Sequence, residues 1–512
     1  MGRGVFDSVI GLAYNAGVWI RHLEEEPQMP KPNLVFIMPD QLRADFLSCY
    51  GAQCVRTPNI DRLAARGVRY ERAYSAHPVC VPARVSLMTG MDAVKTGVLD
   101  NGQFLRPDYR QMGIQCWPEI LNADGYYTAA IGKMHFYPWD LRLGFQYRSI
   151  AEDKRWLHIR DDYYHYLHEA GYRRYHGNEH EGYFEHKGAI INRLPWEYSV
   201  DHFVGMEACR FIDQYGSEGS FAMMVGFPGP HCPYDPCPEF LENVDLDAVP
   251  EPVPEVERDT PKLRESNVRG NLRSWNGVDY TEFTAEQKRK IRIHYAASVS
   301  QIDYEVGQIL QSLERRGLLE NTVIIFSADH GDYLGDPGLI GKGTFYEAST
   351  RVPMLVSMPG LDEPRVCDEL VCLGDVTATL LALGGCEAPL CMDSIPLPDL
   401  GLPVDTPRTR VFGVLQGGWM VDDGRWRLAK YGTGEAVLFD REQDPDEQNN
   451  LYNRAAYLDV RTRLEAELTQ YLMAGLREAN HERRVYVRDL SQQTWFGREG
   501  WQRPYPRRMD DR

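Results

Sequence analysis

The most regular feature of the chain is a set of short segments made almost wholly of apolar residues. They lie at 33–38, 125–131, 221–227, 322–327 and 354–358. Continuous apolar runs of this length are typical of strands that are buried on both faces, as in a parallel sheet covered by helices. The pattern therefore predicts an α/β fold with a large mixed, mostly parallel sheet sandwiched between helices.

Helical periodicity is clearest at 284–317, where apolar residues recur every three or four positions. An amphipathic stretch of this length predicts a long helix packed on the core. Shorter structural helices are predicted at 58–67, ended by Gly67, and at 375–384. The Pro-rich, charged stretch 244–285 is expected to be an insertion or lid.

The C-terminal part has a different pattern, with short apolar segments separated by Gly and Asp turns. These segments lie at 411–415, 419–421, 425–429 and 437–440. Closely spaced short strands of this kind predict an antiparallel meander. Together with a helix at about 455–472, they predict a smaller C-terminal α+β subdomain.

Length and charge restrict the classes of function. A chain of 512 residues is longer than one hydrophobic core usually serves, so a large and a smaller domain are expected. The formal net charge of −18 disfavours nucleic-acid and acidic-membrane partners. An anionic substrate stays compatible with this charge if cations are concentrated at the site.

The two ends of the chain look unlike the rest. Residues 5–20 are mildly apolar but interrupted by polar residues, so neither a secretory signal nor a membrane-spanning helix is expected there. Residues 476–512 contain a basic, aromatic stretch without clear periodicity. We interpret 1–32 as an N-terminal arm and linker and 476–512 as a tail, and expect them to lock a homo-oligomer together.

The chain has eleven cysteines, an odd number, and no Cys-x-x-Cys pair. Several of them are five residues apart, a spacing that matches no metal or disulfide framework. We therefore expect free thiols in a reducing compartment, which favours a cytoplasmic location.

Acidic residues follow two of the predicted buried strands. Asp40 and Gln41 come directly after the first strand, and Asp329 and His330 follow the strand at 322–327. Ligands of open α/β sheets bind at the carboxyl ends of the strands. Carboxylate and amide oxygens there predict a metal site, with helix capping as the alternative for both acids.

Cys80 lies at or just before the start of a predicted short helix, with Pro82 in its first turn. Free backbone N–H groups and the helix dipole favour negative charge at this position. Arg84, one turn later, can point back toward the same place. A nucleophile beside a fixed cation suits a reaction on a tetrahedral oxyanion ester, although a small buried thiol is the alternative interpretation.

Three further segments carry candidate site residues. Lys133 and His135 follow the predicted strand at 125–131 and are two residues apart, so they share one side of the sheet edge. His231 lies in a loop held by prolines, and Lys342 lies between two glycines that allow close backbone approach. A surface lysine and a capping histidine are the alternatives for the first pair.

The run Cys80-x-Pro82-x-Arg84, followed by Leu-x-Thr89-Gly90, resembles the signature of the type I sulfatases of the alkaline phosphatase superfamily. Gly-Lys133-x-His135 is similar to the second signature of that family, and Pro-His231-x-Pro to its histidine loop. The resemblance implies an alkaline-phosphatase-like catalytic sulfatase domain at 33–390 and a C-terminal subdomain at 391–475.

The resemblance also implies chemistry. It makes Cys80 the precursor of formylglycine, produced by a maturation enzyme, whose hydrate attacks a sulfate ester. It implies one divalent metal ion, with Ca²⁺ favoured over Mn²⁺ or Mg²⁺. The metal ligands implied are Asp40, Gln41, Cys80, Asp329 and His330.

The remaining roles are implied in the same way. Arg84, Lys133 and Lys342 would bind the sulfate oxygens, His231 would protonate the leaving alcohol, and His135 would help to release sulfate. The substrate would be a small-molecule or carbohydrate sulfate ester.

Many sulfatases have a second acid at the position of Gln41. The Asp-Gln pair at 40–41 instead resembles the pair in the choline-sulfatase and phosphonate monoester hydrolase branches. A phosphonate monoester or phosphodiester hydrolase is therefore the closer alternative. A non-catalytic binding protein derived from the fold is the more distant one.

Overall fold

A computed structural model describes residues 31–215, 218–255, 260–361, 363–404 and 406–479. Its central feature is an eight-stranded sheet, ordered β4-β3-β5-β1-β6-β7-β2-β8. The strands are β1 (Asn33–Asp40), β2 (Gly67–Tyr74), β3 (Tyr127–Gly132), β4 (Tyr147–Ile150), β5 (Phe221–Pro230), β6 (Thr322–Ser327), β7 (Met354–Ser357) and β8 (Arg365–Cys372). Only β7 runs antiparallel to its neighbours β6 and β2, so the sheet is mixed but mostly parallel, as predicted.

Helices cover this sheet in two groups. The helices are α1 (Pro58–Ala65), α2 (Cys80–Thr89), α3 (Ala93–Thr96), α4 (Trp117–Ala123), α5 (Asp162–Glu169), α6 (Val200–Tyr215), α7 (Pro261–Asn271), α8 (Ala285–Arg315), α9 (Glu347–Thr350), α10 (Asp375–Leu383) and α11 (Leu458–Ala479). One group consists of α1, α6 and α8, and the other of α2, α4 and α10. Because all eight residues of the central strand β1 are buried, both of its faces are covered.

A smaller sheet follows in the C-terminal part. Its strands are β9 (Val411–Leu415), β10 (Gly418–Asp422), β11 (Trp426–Tyr431) and β12 (Ala436–Asp440), all antiparallel and in simple sequential order. Helix α11 packs on β10 and β11 through a small core that includes Leu428 and Leu464. The predicted meander and its helix are therefore confirmed.

Two local expectations differ from the structure. Helix α1 ends at Ala65, and Gly67 begins β2 instead of capping the helix. A Cβ on Gly67 would lie 1.9 Å from the Val356 carbonyl oxygen, so the residue permits close strand contact. The stretch 244–285 contains α7 and packs on the molecule through the buried side chains of Val278 and Tyr280.

Within the described residues, no helix is both long enough and apolar enough to cross a lipid bilayer. All eleven cysteines are free thiols, as expected. The predicted N-terminal arm lies almost entirely outside the described residues, and so does the predicted tail beyond residue 479. The proposed domain boundaries stay predictions.

Candidate active site

Neighbouring parallel strands deliver most of the candidate residues to one edge of the large sheet. Strand β1 lies between β5 and β6, with Ile37 paired to Phe326 and Asp40 paired to Pro230. The carboxyl ends of these three strands therefore place Asp40, His231 and Asp329 side by side. Strand β3, beside β5, leads into Lys133 and His135, and α2 begins at the same place with Cys80.

Four buried side chains form a cluster able to hold a metal ion: Asp40, Cys80, Asp329 and His330. One ligand atom from each lies within 4.8 Å of the others. His330 Nε2 is 3.2 Å from the Cys80 sulfur, 3.7 Å from Asp329 Oδ1 and 3.9 Å from Asp40 Oδ1. Two carboxylates and an imidazole converge on the cysteine.

Two buried cations flank this cluster. Arg84 donates from Nε to Asp329 Oδ2 at 3.0 Å and from Nη2 to Asp40 Oδ2 at 3.4 Å. Its Nη1 donates to the Lys133 carbonyl oxygen at 2.7 Å. The Lys133 ammonium lies 2.6 Å from Asp40 Oδ2 and 3.1 Å from Asp153 Oδ2. Fixed positive charge therefore surrounds the place that an anionic ester would occupy.

Lys342 reaches the cluster from its glycine-flanked loop. Its ammonium Nζ donates to Gln41 Oε1 at 2.5 Å and lies 2.6 Å from His231 Nε2. The Gln41 amide nitrogen donates to Asp332 Oδ2, and this contact determines which way the amide points. Gln41 has a φ of +69°, a strained value that places its side chain toward the site.

His135 is also held in an unusual backbone conformation, with φ +60°. Its backbone N–H donates to Glu152 Oε2 at 3.0 Å, and its ring packs edge-on against Trp156 at 4.9 Å. The ring nitrogen Nδ1 is buried and has no hydrogen-bond partner among the described residues. The imidazoles of His135 and His231 lie close enough to the Cys80 thiol to help lower its pKa.

The pKa values of the two carboxylates in the cluster, Asp40 and Asp329, shift in opposite directions. Burial raises the pKa of Asp40, but nearby cations, led by Lys133, outweigh it and hold that pKa well below its usual range. Burial and the neighbouring Asp40 charge raise the pKa of Asp329. Two acids that repel each other in a buried site are typical of a place that a divalent cation neutralises.

Neighbouring charges also shift the pKa values of Cys80 and His231. Burial opposes ionisation of Cys80, but Lys342 and His330 hold its pKa well below the usual thiol value. Burial, followed by the charges of Lys342 and Arg155, lowers the pKa of His231 to about 3. The His231 ring is buried beside these two cations, which disfavour a proton on it.

The ten predicted site residues thus belong to one connected and largely buried network: Asp40, Gln41, Cys80, Arg84, Lys133, His135, His231, Asp329, His330 and Lys342. Their individual roles stay predictions.

Several supporting residues were not predicted. Glu152 and Asp153 follow β4, a short strand that the apolar pattern did not predict. Asp332 ends the Asp-His-Gly-Asp run and could have been found as a further acid near a strand end. Asn101 accepts the Val81 N–H at 2.9 Å at the start of α2, and no sequence signal indicated this.

The donor set fits a hard divalent cation. Asp40 and Asp329 offer carboxylate oxygens, Gln41 an amide oxygen and His330 a ring nitrogen. Oxygen-rich sets favour Ca²⁺, Mg²⁺ and Mn²⁺ over softer metals. The Cys80 sulfur is the one soft atom, and its replacement by an oxygen would make the whole set harder.

Comparison with known proteins agrees with this geometry. A family model described as Sulfatase matches residues 32–386. The chain is 29% identical over 455 residues to an arylsulfatase of Clostridium perfringens, an alignment that covers 83% of this chain and 91% of that protein. It is 28% identical over 449 residues to a choline-sulfatase of Rhizobium meliloti, covering 82% of each.

A solved structure of a phosphonate monoester hydrolase from Agrobacterium radiobacter superposes with a TM-score of 0.72 at 22% identity. The superposition covers 86% of this chain and 95% of the phosphonate monoester hydrolase chain. This likeness shows a shared fold of the alkaline-phosphatase-like kind. The predicted family is confirmed by the family model, and the chain therefore belongs to the sulfatase family and is a sulfuric ester hydrolase.

Proposed function

We propose that this hydrolase releases inorganic sulfate and an alcohol through a formylglycine made from Cys80 and one bound divalent metal ion. The observation that carries the proposal is the convergence of four cations or imidazoles and two carboxylates on position 80 in a buried site. A free structural thiol needs no such surroundings, because buried cysteines are usually packed among apolar groups.

The metal would be held by Asp40, Gln41, Asp329 and His330 together with residue 80, and we propose Ca²⁺ as its identity. When bound, the ion supplies Lewis acidity that stabilises negative charge on the sulfate oxygens. Formylglycine, as its hydrate, supplies an oxygen nucleophile for sulfur.

The chain's own residues bind and orient the ester. Arg84 and Lys133 are buried cations fixed by carboxylates, so they need little reorganisation when an anionic group enters. His135 comes within reach of residue 80 and has one unpartnered ring nitrogen among the described residues. It is therefore placed to take a proton from residue 80 during release of sulfate.

The proton for the leaving alcohol is held by the Lys342–His231 pair. Lys342 Nζ–H points at His231 Nε2, while His231 Nδ1 contacts the Cys232 carbonyl oxygen at 2.7 Å. Burial and the Lys342 charge lower the pKa of His231, so a proton on His231 is disfavoured before the substrate enters. We assign leaving-group protonation to the pair and not to His231 alone.

The substrate is proposed to be a small-molecule or carbohydrate sulfate ester. The relatives named arylsulfatase and choline-sulfatase support sulfate esters as a class. Conversion of Cys80 requires a maturation enzyme as a partner. The free thiols support the proposal of a reducing, cytoplasmic location, and the two chain ends support that of a homo-oligomer.

Intact-mass spectrometry combined with sulfate release tests the proposal. Conversion of Cys80 to formylglycine lowers the mass by about 18 Da, since H₂S is lost and one oxygen is gained. Cys80→Ala should abolish both the mass change and hydrolysis of 4-nitrophenyl sulfate while the fold persists. Cys116→Ala, at another buried free thiol, is the matched control and should retain both. An active enzyme with unmodified Cys80 would contradict the proposal.

A phosphonate monoester or phosphodiester hydrolase is the second candidate, favoured by Gln41 at the position of a second acid. The presence of Lys133 and His135 in the site favours sulfate. Turnover of 4-nitrophenyl sulfate and of a 4-nitrophenyl phosphonate monoester by the same preparation would decide, because both release the same alcohol.

A further inference from the structure

Arg155 lies between two predicted catalytic residues. Its Nε and Nη2 donate to Asp153 at 2.8 and 2.6 Å, and Asp153 Oδ2 also contacts the Lys133 ammonium. On its other side, Nη1 lies 3.9 Å from the sulfur of Cys232, the residue after His231. The guanidinium therefore connects the Lys133 side of the site with the His231 side.

The outer face of Arg155 is covered by an aromatic ring that reaches solvent. The Arg155 Cζ atom lies 4.9 Å from the ring centroid of Trp275, which is 40% exposed. The Arg155 side chain is only 13% exposed. Arg155 thus lies between the fully buried reacting centre and the surface, where the alcohol part of an ester must extend.

Among the described residues, the charges beside Arg155 disfavour a cation. Two neighbouring carboxylates are already paired, Asp153 with Arg155 and Asp235 with Lys154. The Trp275 face, which a quaternary ammonium group would use, is occupied by the Arg155 guanidinium.

The same geometry leaves a donor available for an oxygen. Both carboxylate oxygens of Asp153 bind the Nε and Nη2 side of the guanidinium. Within the described part of the chain, the hydrogen-bond partner of Nη1 is the Cys232 sulfur, which is a weak acceptor. A hydroxyl or carboxylate oxygen would be a much better hydrogen-bond partner for the Arg155 Nη1 N–H groups.

We propose that Arg155 is a specificity-determining residue that donates from Nη1 to an oxygen of the leaving alcohol. The enzyme then acts on sulfate esters of neutral or anionic, oxygen-bearing alcohols and discriminates against cationic alcohols. This inference rests on the proposed function, since it concerns the alcohol part of the same substrate. It separates this chain from choline-type substrates, which the Asp40-Gln41 pair by itself leaves open.

A matched pair of substrates tests the charge. Choline-O-sulfate and 3,3-dimethylbutyl sulfate have the same shape and differ only in the positive charge. At an effective dielectric constant of about 20, repulsion between two positive unit charges about 7 Å apart raises an activation barrier enough to lower a rate constant tens of fold. The wild type should prefer the neutral ester by at least about tenfold in kcat/KM, and Arg155→Gln should reduce this preference about tenfold.

The ratio of the kcat/KM values for the two substrates reports only on interactions with the alcohol part of the ester. Any effect of Arg155→Gln on the position of Lys133 acts on the sulfate group that both substrates share, and it cancels in the ratio. Arg173→Gln is the matched control, because Arg173 also stacks on an aromatic ring, that of Tyr175, and pairs with a carboxylate, that of Glu179. It should leave the ratio unchanged.

A second pair of substrates tests whether Arg155 donates a hydrogen bond to the alcohol. A hexose 6-sulfate and cyclohexylmethyl sulfate differ in the ring oxygen and hydroxyl groups. Arg155→Gln should lower kcat/KM for the hexose ester about tenfold more than for the cyclohexyl ester. Arg155→Lys keeps the charge but loses the planar donor, so it should retain the charge preference and lose the oxygen preference.

The outcomes are distinct from those that test the proposed function. Absence of sulfate release from every ester, 4-nitrophenyl sulfate included, would contradict the proposed function. Sulfate release with a preference for choline-O-sulfate, or an unchanged ratio in Arg155→Gln, would overturn the role of Arg155 alone. If Arg155→Gln fails to fold, the Arg155→Lys comparison on the second pair of substrates decides.

Discussion

The ammonium nitrogen of Lys342 lies 2.6 Å from Nε2 of His231, and the two side chains share one proton-bearing contact. The neighbouring ammonium contributes, after burial, to holding the pKa of His231 down at about 3. This low pKa disfavours a resting proton on His231 itself. We therefore expect Lys342 and His231 to act as a pair in protonating the leaving alcohol, so the effects of replacing them should not be independent.

Replacement of either member of this pair should affect poor leaving groups most. Lys342→Ala and His231→Ala are each expected to lower kcat/KM about tenfold more for phenyl sulfate than for 4-nitrophenyl sulfate, because the more basic phenolate needs a proton to leave. The measurement is steady-state release of both phenols. The double variant should lose little more than either single one, and fully additive losses would show that the two act separately.

Asp153 is expected to position Lys133. Its carboxylate binds Lys133 on one side and Arg155 on the other, and it would keep Lys133 in place when Asp40 binds a metal. Asp153→Asn should lower kcat/KM for 4-nitrophenyl sulfate about 10- to 100-fold. It should also lower the melting temperature, because two buried cations lose their shared negative charge. Glu179→Gln also removes a carboxylate from an arginine pair, but on the surface, and should leave activity unchanged. Equal effects of the two substitutions would contradict this role.

Asp332 is expected to support metal binding through Gln41. Its oxygens accept from the Gln41 amide, from the Tyr234 hydroxyl at 2.8 Å, and from two backbone N–H groups. In Asp332→Asn one acceptor becomes a donor, so the Gln41 amide loses its fixed orientation. Calcium affinity, measured by titration calorimetry after chelation, should fall about 10- to 100-fold.

Tyr234→Phe provides the control for this prediction. It removes one donor to Asp332 but leaves the contact between Asp332 and Gln41 in place. Its calcium affinity should stay within about threefold of the wild type. A loss in Tyr234→Phe as large as in Asp332→Asn would point to general damage of the site and not to the orientation of Gln41.

Asp201 should make stability depend on pH. Burial raises the pKa of this carboxyl to about 6, against the opposing effects of Lys154 and the Gly229 N–H. Because the folded pKa exceeds the unfolded one, its contribution to stability is complete at low pH and is lost as the pH rises through about 6. Asp201→Asn retains an acceptor for the Gly229 N–H but does not titrate.

The free energy of unfolding of the wild type relative to Asp201→Asn should therefore fall by about 2 kcal/mol between pH 4 and pH 7. Urea titrations of both proteins at several pH values, at one fixed calcium concentration, measure this difference. Parallel pH curves for the two proteins would contradict the raised pKa.

The order of residues was enough to predict the class of fold and the candidate site residues. The apolar runs that became β1, β5 and β6 are local signals, since strands buried on both faces need apolar residues throughout. Asp40 and Asp329 were predictable because the carboxyl ends of parallel strands meet at one edge. Cys80 and Arg84 belong to one helix, so their spacing in the chain already fixes their spacing in space.

The contacts that support these groups and the charges around them depend on the tertiary structure. Asp332 orients Gln41 across 291 positions, and Asp153 binds Lys133 across a strand that carries little apolar signal. The low pKa of His231 arises from burial and from cations brought by other segments. Such contacts depend on distance in space and on exclusion of water, and neither quantity is written in the order of residues along the chain.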